Sequence, residues 1–256
     1  LMTEPLNWLI ATEQSATSTS DLAKRAAADG APSGQAFLAI EQTAGRGRHG
    51  RHWDSQKGGM YLSVLLRPSV PIDQWFALSF AASLAVLEAV RTQLATQLSL
   101  LEMPQTGLKW PNDVIVAGGK ISGVLLEVDG KALIVGSGIN IAPVGQMESQ
   151  NIAPIALADI WPDGAGDLPQ PYDLATAYLD RLAFWYDRFC QSGFGPIRDA
   201  WLENALFLGK RVAVQCDTKA LSGVFHDLGM DGTMLLLDDS GQTRHITTGD
   251  VKLLDS

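Results

Sequence analysis

The stretch Gly45-Arg46-Gly47-Arg48-His49-Gly50-Arg51-His52-Trp53 stands between two short apolar runs, Ala36-Phe37-Leu38-Ala39-Ile40 before it and Met60-Tyr61-Leu62-Ser63-Val64-Leu65-Leu66 after it. Runs of this length and composition are buried-strand material, so the cationic segment connects two core strands. Glycine lets backbone N–H groups approach a ligand, and arginine presents planar, paired donors to phosphate or carboxylate. An anion-gripping loop follows. The same residues also allow a solvated loop, or an arm that binds nucleic acid through arginines set between glycines. The flanking strands speak against an arm.

Upstream of this unit, Trp8-Leu9-Ile10 opens a first strand, and the hydroxyl-rich stretch 15–20 leads into Asp21-Leu22-Ala23-Lys24-Arg25-Ala26-Ala27-Ala28, which reads as a capped helix. Downstream, 73–96 is apolar nearly all round and reads as a long buried helix. Next come Leu108-Lys109-Trp110-Pro111-Asn112-Asp113, the run 114–116, a turn at Ala117-Gly118-Gly119, the run 120–127, a turn at Asp129-Gly130, and a strand reaching Asn140. This is an antiparallel meander. The segment 143–171 is rich in Pro, Gly and Asp with one short helix, and 172–191 and 197–205 are helical. From Gly209 the pattern changes to short strands (212–216, 223–228, 234–238, 245–247), as in a small β-barrel. The expected fold is therefore α+β, with a mixed or antiparallel sheet and helices in a domain over 1–208 and a β-barrel domain over 209–256.

The chain has 256 residues, 46% hydrophobic and 18% charged, and a formal net charge of −9. A general nucleic-acid or anionic-membrane binder needs a broad basic face, which this balance disfavours. Its two cysteines, Cys190 and Cys216, have no Cys or His neighbours at metal-ligand spacing and read as free thiols of a reducing compartment. Residues 1–5 lack the features of a signal peptide, and the most apolar uncharged stretch, 74–87, is too short to span a bilayer. A cytoplasmic protein with no membrane partner is expected.

Five segments resemble the biotin–protein ligases in their order along nearly the whole chain. They are Ser18-Thr19-Ser20, Glu41-Gln42-Thr43-Ala44 with the glycine–arginine loop, KWPNDV at 109–114, GKISGVLLE at 119–127, and Gly138-Ile139-Asn140. Each alone is weak; the ordered set is specific. The resemblance implies a catalytic domain like that of class II aminoacyl-tRNA synthetases, followed by an SH3-like barrel that helps hold nucleotide and dock a carrier. It also implies an ATP-dependent ligase with two half-reactions. Biotin's carboxylate attacks the α-phosphorus of ATP to give biotinyl-5′-AMP and pyrophosphate, and a lysine of a biotin carboxyl carrier protein then attacks the mixed anhydride. ATP and Mg²⁺ are the implied cofactors and biotin the substrate. Nothing ahead of the first strand suits the family's helix-turn-helix module, so the monofunctional group that does not bind DNA is expected, as a monomer or homodimer. Ser20 departs from the Asn usual after Ser-Thr in the family, which leaves the helix-start contact open.

Carried over residue by residue, the resemblance makes Lys120 catalytic, its ammonium placed over the reacting carboxylate and α-phosphate. Arg48 and Arg51 close on carboxylate and phosphates, and the backbone around Arg46 covers the biotin side. Ser18, Thr19 and Gln42 pair with the ureido ring, and the backbone of Gly123 takes the valeryl chain. Gly45, Gly47, Lys109 and Asn112 serve the nucleotide, with Trp53 stacked on adenine and Asn140 on its edge. Asp113 is a candidate Mg²⁺ ligand, with turn stabilisation as the alternative for Asn112-Asp113. Three glycines and three mutually repelling arginines predict a loop that is mobile when empty and closes on ligand.

Lipoate ligases and octanoyltransferases share this fold and are the nearest rivals, but neither GRGRHGR nor KWPND is expected in them. Because a ligand that binds only the folded state stabilises it, biotin should raise the midpoint of thermal unfolding and lipoate should leave it unchanged. Protection by lipoate alone would favour the rival.

Overall fold

The computed structural model describes residues 6–145, 152–216 and 219–254. In chain order the elements are β1 (Leu9–Glu13), α1 (Thr19–Ala28), β2 (Gln35–Ala39), β3 (Met60–Leu66), α2 (Ala77–Ala95), β4 (Thr106–Lys109), β5 (Asp113–Val116), β6 (Gly119–Asp129), β7 (Ala132–Ile139), α3 (Pro171–Ser192), α4 (Gly195–Glu203), β8 (Arg211–Cys216), β9 (Lys219–Leu228), β10 (Met234–Leu237), β11 (Thr243–Ile246) and β12 (Asp250–Leu253). The first sheet runs β1-β2-β3-β7-β6-β5-β4, with β1 and β2 parallel and the other neighbours antiparallel. The second runs β11-β10-β9-β8-β12 and is antiparallel. The fold is α+β, as expected, with a small β unit at the C-terminal end.

Alternation along β3 decides which face of the first sheet is the core. Met60, Leu62, Val64 and Leu66 join the large core formed with α2, α3 and α4, while Leu65 lies opposite, packed with Ala23 of α1. On the α1 side the hydrophobic cluster is small, Ala23, Leu65, Ala132 and Ile134, so part of that face remains open. The helix starts at Thr19 rather than Asp21 because Ser18 is the N-cap: its hydroxyl accepts from the Ser20 amide at 3.3 Å. The segment Ile72–Ala95 is long and apolar enough to cross a bilayer by composition, yet 72% of its most apolar window is buried within the protein. Packing in the core accounts for its apolarity. In the segment 143–171 a single turn of 3-10 helix forms at Leu157–Asp159, while 146–151 lies outside the described residues.

Two hairpins set the meander. Between β5 and β6 the two-residue turn places Ala117 at φ 48° and Gly118 at φ 79°, positive at both positions as a type I′ turn requires. Just past it the β5–β6 register shifts between Val114 and Ile115, which pair with Ser122 and Lys120 and leave Ile121 as the extra residue. A bulge of this kind re-aims the strand. Ile121 and Val124 both reach the core, and Lys120 and Gly123 both line a cavity on the opposite face, spacings of three that a straight strand would forbid.

The second sheet shares the core of the first. The Gly232 backbone lies so close to Phe76 and Phe80 that a Cβ there would come within 3.0 Å of both rings, and the Trp110 indole N–H donates to the Gly232 carbonyl at 3.1 Å. Arg198 of α4 donates to the Leu228 carbonyl at 2.7 Å and to Asp227 at 2.6 Å. Phe80, Trp110 and Trp201 are therefore buried in part by the C-terminal residues. Truncation after Leu208 should expose these aromatics and abolish cooperative thermal unfolding. A truncated protein with a sharp transition at the full-length midpoint would contradict the shared core.

Candidate active site

A cavity of about 710 Å³ occupies the open part of the α1 face. It exists because small residues stand where large ones would fill the face: Ser63 on β3, Gly123 on β6, and Gly136 and Gly138 on β7. A Cβ on Gly138 would sit 2.5 Å from the Trp53 indole nitrogen, and one on Gly123 would sit 3.3 Å from the same ring system. Trp53 thus rests over both glycines. Its indole N–H is buried and has no hydrogen-bond partner among the described residues.

One end of the cavity is neutral and polar. The Thr19 amide donates to Gln42 Oε1 at 2.8 Å, and the Thr19 hydroxyl lies 3.2 Å from the same oxygen and 2.7 Å from the Ser63 hydroxyl. The Ser20 hydroxyl lies 3.3 Å from Ser63, and Gln42 Nε2 donates to Ser55 at 2.8 Å. Ser18, Thr19 and Gln42, expected from the sequence, all line the cavity. Ser63 was not expected, though it is the one polar residue within the apolar strand β3.

The other end is charged. Lys109 and Asp113 face each other across the β4–β5 hairpin, and Gly123 pairs with Asp113 on β6. The bulge then returns Lys120 to the same face. Lys120 Nζ lies 2.7 Å from Asp113 Oδ1 and 5.4 Å from the centre of the Trp53 ring, while Lys109 Nζ lies 3.6 Å from Asp113 Oδ2. Lys109 is almost wholly buried, which its pairing makes tolerable. Lys120 itself is pinned by strand-like bonds to an irregular segment, its amide donating to Ala153 and its carbonyl accepting from Ile155.

The loop folds as a small hairpin, with Arg46 bridged to His52, the Gly47 amide donating to the Arg51 carbonyl, and a 3-10 turn at Arg48–Gly50 that sets His49 at φ 56°. Its arginines have partners in the protein. Arg46 forms a paired contact with Asp21 at 2.6 and 3.2 Å, which holds the Asp21 carboxyl below its ordinary range. Arg51 lies 2.6 Å from Asp250, and Arg48 donates to Asn112 and Thr248 at 3.3 Å each. The repulsion invoked for an open, empty loop is therefore offset by Asp21 and Asp250. Burial pushes the Arg48 guanidinium down, against the pull of Asp113 and Asp250.

Several sequence expectations change. Asn140 does not line this cavity; its amide donates to the Ile155 carbonyl at 3.0 Å and lies 3.4 Å from that of Lys120, so it braces the strand carrying Lys120 and leaves neither donor for an adenine edge. Gly45 also lies off the cavity, and a Cβ there would meet Ser55 Oγ and the Trp53 carbonyl at 2.4 Å. Its part is close packing. Asn112 lines the cavity, but its side chain is spent on Arg48 and on the Val124 carbonyl. Asp113 as a Mg²⁺ ligand does not fit, because both carboxylate oxygens face lysine ammonium groups and no cluster of three His, Cys, Asp or Glu residues suits a metal among the described residues. An ion of this kind would have to arrive on a ligand's own phosphates. Gln215 of β8, Thr248 and Gly249 of the β11–β12 connection and Asp250 of β12 also line the cavity, and no sequence signal marked them.

Comparison with known proteins gives a consistent picture. A family model described as the biotin/lipoate A/B protein ligase family matches residues 12–142. The biotin–[acetyl-CoA-carboxylase] ligase of Paracoccus denitrificans is 33% identical over 82% of this chain and 87% of its own. Among solved structures, the biotin protein ligase of Aquifex aeolicus in complex with biotin and ATP superposes with a TM-score of 0.79 at 29% identity, covering 96% of this chain and 99% of that one. The biotin protein ligase of Leishmania major in complex with biotinyl-5-AMP gives 0.65 at 29% identity, covering 98% and 100%.

The site geometry generates its own test. Asp113→Asn leaves two enclosed ammonium groups without their counter-ion and should lower stability to denaturant by about 2–4 kcal/mol, while adding Lys109→Met should restore much of the loss. Equal stability of Asp113→Asn and the parent would contradict the pairing.

Proposed function

The chain belongs to the biotin/lipoate A/B protein ligase family and is a biotin ligase, and from that footing we propose which residues carry its two half-reactions. The observation that carries the assignment is one cavity with two chemistries, hydroxyls and an amide around Thr19, Gln42 and Ser63, and cations at Lys109, Lys120, Arg48 and Arg51. Biotin has the same division. Its ureido ring is neutral and needs hydrogen-bond partners once buried, which Ser18, Thr19 and Gln42 supply with Ser63 beside them. Its aliphatic chain passes over Gly136 and beside the Trp53 ring that covers Gly123 and Gly138, and its carboxylate meets Lys120.

In the first half-reaction a carboxylate oxygen bonds to the α-phosphorus of ATP and the bond to the bridging oxygen breaks, so that pyrophosphate leaves with the electron pair. Negative charge builds on the phosphoryl oxygens, and Lys120 and Arg48 stabilise it from fixed positions. Lys109 and Arg51 take the remaining phosphate charge, and Trp53 offers its ring to adenine. In the second, the neutral ε-amine of the acceptor lysine attacks the acyl carbon, AMP leaves, and the amine's proton passes to solvent. The 45–53 loop shields the anhydride from water in the interval. We take 1–208 as the catalytic domain, folded on a core it shares with 209–256, an SH3-like barrel whose 248–250 edge completes the wall. A biotin carboxyl carrier domain is the acceptor, and a cytoplasmic setting suits the thiols of Cys190 and Cys216.

The experiment is incubation with biotin, MgATP and a carrier domain, read by mass spectrometry for one biotinyl addition. Lys120→Ala should still bind biotin through the ureido partners and release pyrophosphate at least about tenfold to a hundredfold more slowly, since a charge-assisted hydrogen bond is lost from the transition state. An unchanged rate would remove Lys120 from the mechanism.

A further inference from the structure

The ion pair between Arg51 and Asp250, 2.6 Å long, joins the cationic loop to β12, and both residues line the cavity. Two residues earlier, Thr248 accepts from Arg48 at 3.3 Å and lies 3.4 Å from His49 Nε2. The edge of the second sheet thus holds the loop at three neighbouring side chains. Burial pushes the Asp250 carboxyl up, but its hydrogen bond from Arg51 and the charges of Lys109, Arg51 and Lys120 outweigh that and hold it below the ordinary carboxylate range. Asp250 is therefore an anion set among the cations assigned to phosphate.

Asp113 also lies in that cluster, but the two carboxylates differ in how firmly they are held. The Asp113 side chain is 14% exposed and faces two lysines. The Arg51 and Asp250 side chains are 65% and 33% exposed. A pair that open to solvent is worth little and breaks readily. An incoming polyphosphate, with several charges and a geometry matched to guanidinium, outcompetes a single carboxylate for Arg51.

We propose that Asp250 is a resting counter-anion, which neutralises Arg51 and ties the loop to the second sheet until the phosphates of ATP displace it. The inference rests on the ligase reading and adds a positioning residue to it, one that acts on nucleotide through Arg51. The carboxylate lowers ATP affinity, because its pair with Arg51 must be broken and it then repels the phosphates.

The test is calorimetric titration of the full chain, saturated with biotin, with α,β-methylene-ATP, whose α–β bridge cannot be cleaved. Asp250→Asn should tighten nucleotide binding by about threefold to tenfold, and Asp250→Ser should act in the same direction. In an Arg51→Ala background the gain should shrink to what repulsion of the phosphates alone supplies. A purely structural role cannot give this pattern, since disrupting a support weakens binding. Unchanged or weaker nucleotide binding in both Asp250 variants, or an equal gain without Arg51, would overturn the proposal. Failure of the parent protein to bind nucleotide would overturn the ligase reading and this inference with it.

Discussion

A single carboxylate, that of Asp113, holds Lys120 at 2.7 Å and Lys109 at 3.6 Å, and the charged half of the site depends on it. An ammonium as buried as that of Lys109 costs several kcal/mol without a counter-ion. With one anion set against two cations, the cluster can be buried and still keep net positive charge for a ligand. The backbone fixes this arrangement. The β4–β5 hairpin puts Lys109 opposite Asp113, and the bulge at Ile121 turns Lys120 onto the same face. Cations held in place by packing need no reorganisation when charge develops on a reacting phosphoryl group.

The same economy extends to the loop. Its three arginines are held by Asp21 of α1, by Asn112 of the hairpin, and by Thr248 and Asp250 at the start of β12. The site is thus assembled from pieces some 230 residues apart in sequence, Ser18 to Asp250, and the common core across the two sheets keeps them in register. The C-terminal sheet belongs to the wall of the site as well as to the core.

Much of this was legible from residue pattern. The long apolar helix, the meander with its Ala-Gly turn and the loop between buried strands each follow from local chemistry that the tertiary structure does not override. The ordered motifs brought Lys109, Lys120, Thr19, Gln42 and the arginines into one expected site, and the cavity does gather them. What escaped depends on distance. The bulge is a matter of register between strands, so spacing alone could not say that Lys120 and Gly123 share a face. Asp250 and Thr248 carry no motif and reach the site only through the packing of β12. Asn140 looked available because a sequence does not show that its two N–H donors face the carbonyls of Ile155 and Lys120. Ser63 could have been found: a lone hydroxyl in a strand otherwise apolar needs a reason.

The central claim is that Lys120 acts on the reacting atoms and that Asp113 merely holds it ready. A crystal structure of the protein with a non-hydrolysable analogue of biotinyl-5′-AMP tests this most directly. The ureido ring should lie among Thr19, Gln42 and Ser63, and Lys120 Nζ within hydrogen-bond distance of the phosphate or acyl oxygen. A ligand bound in the same cavity while Lys120 stays out of reach of both oxygens, still spent on Asp113, would contradict it.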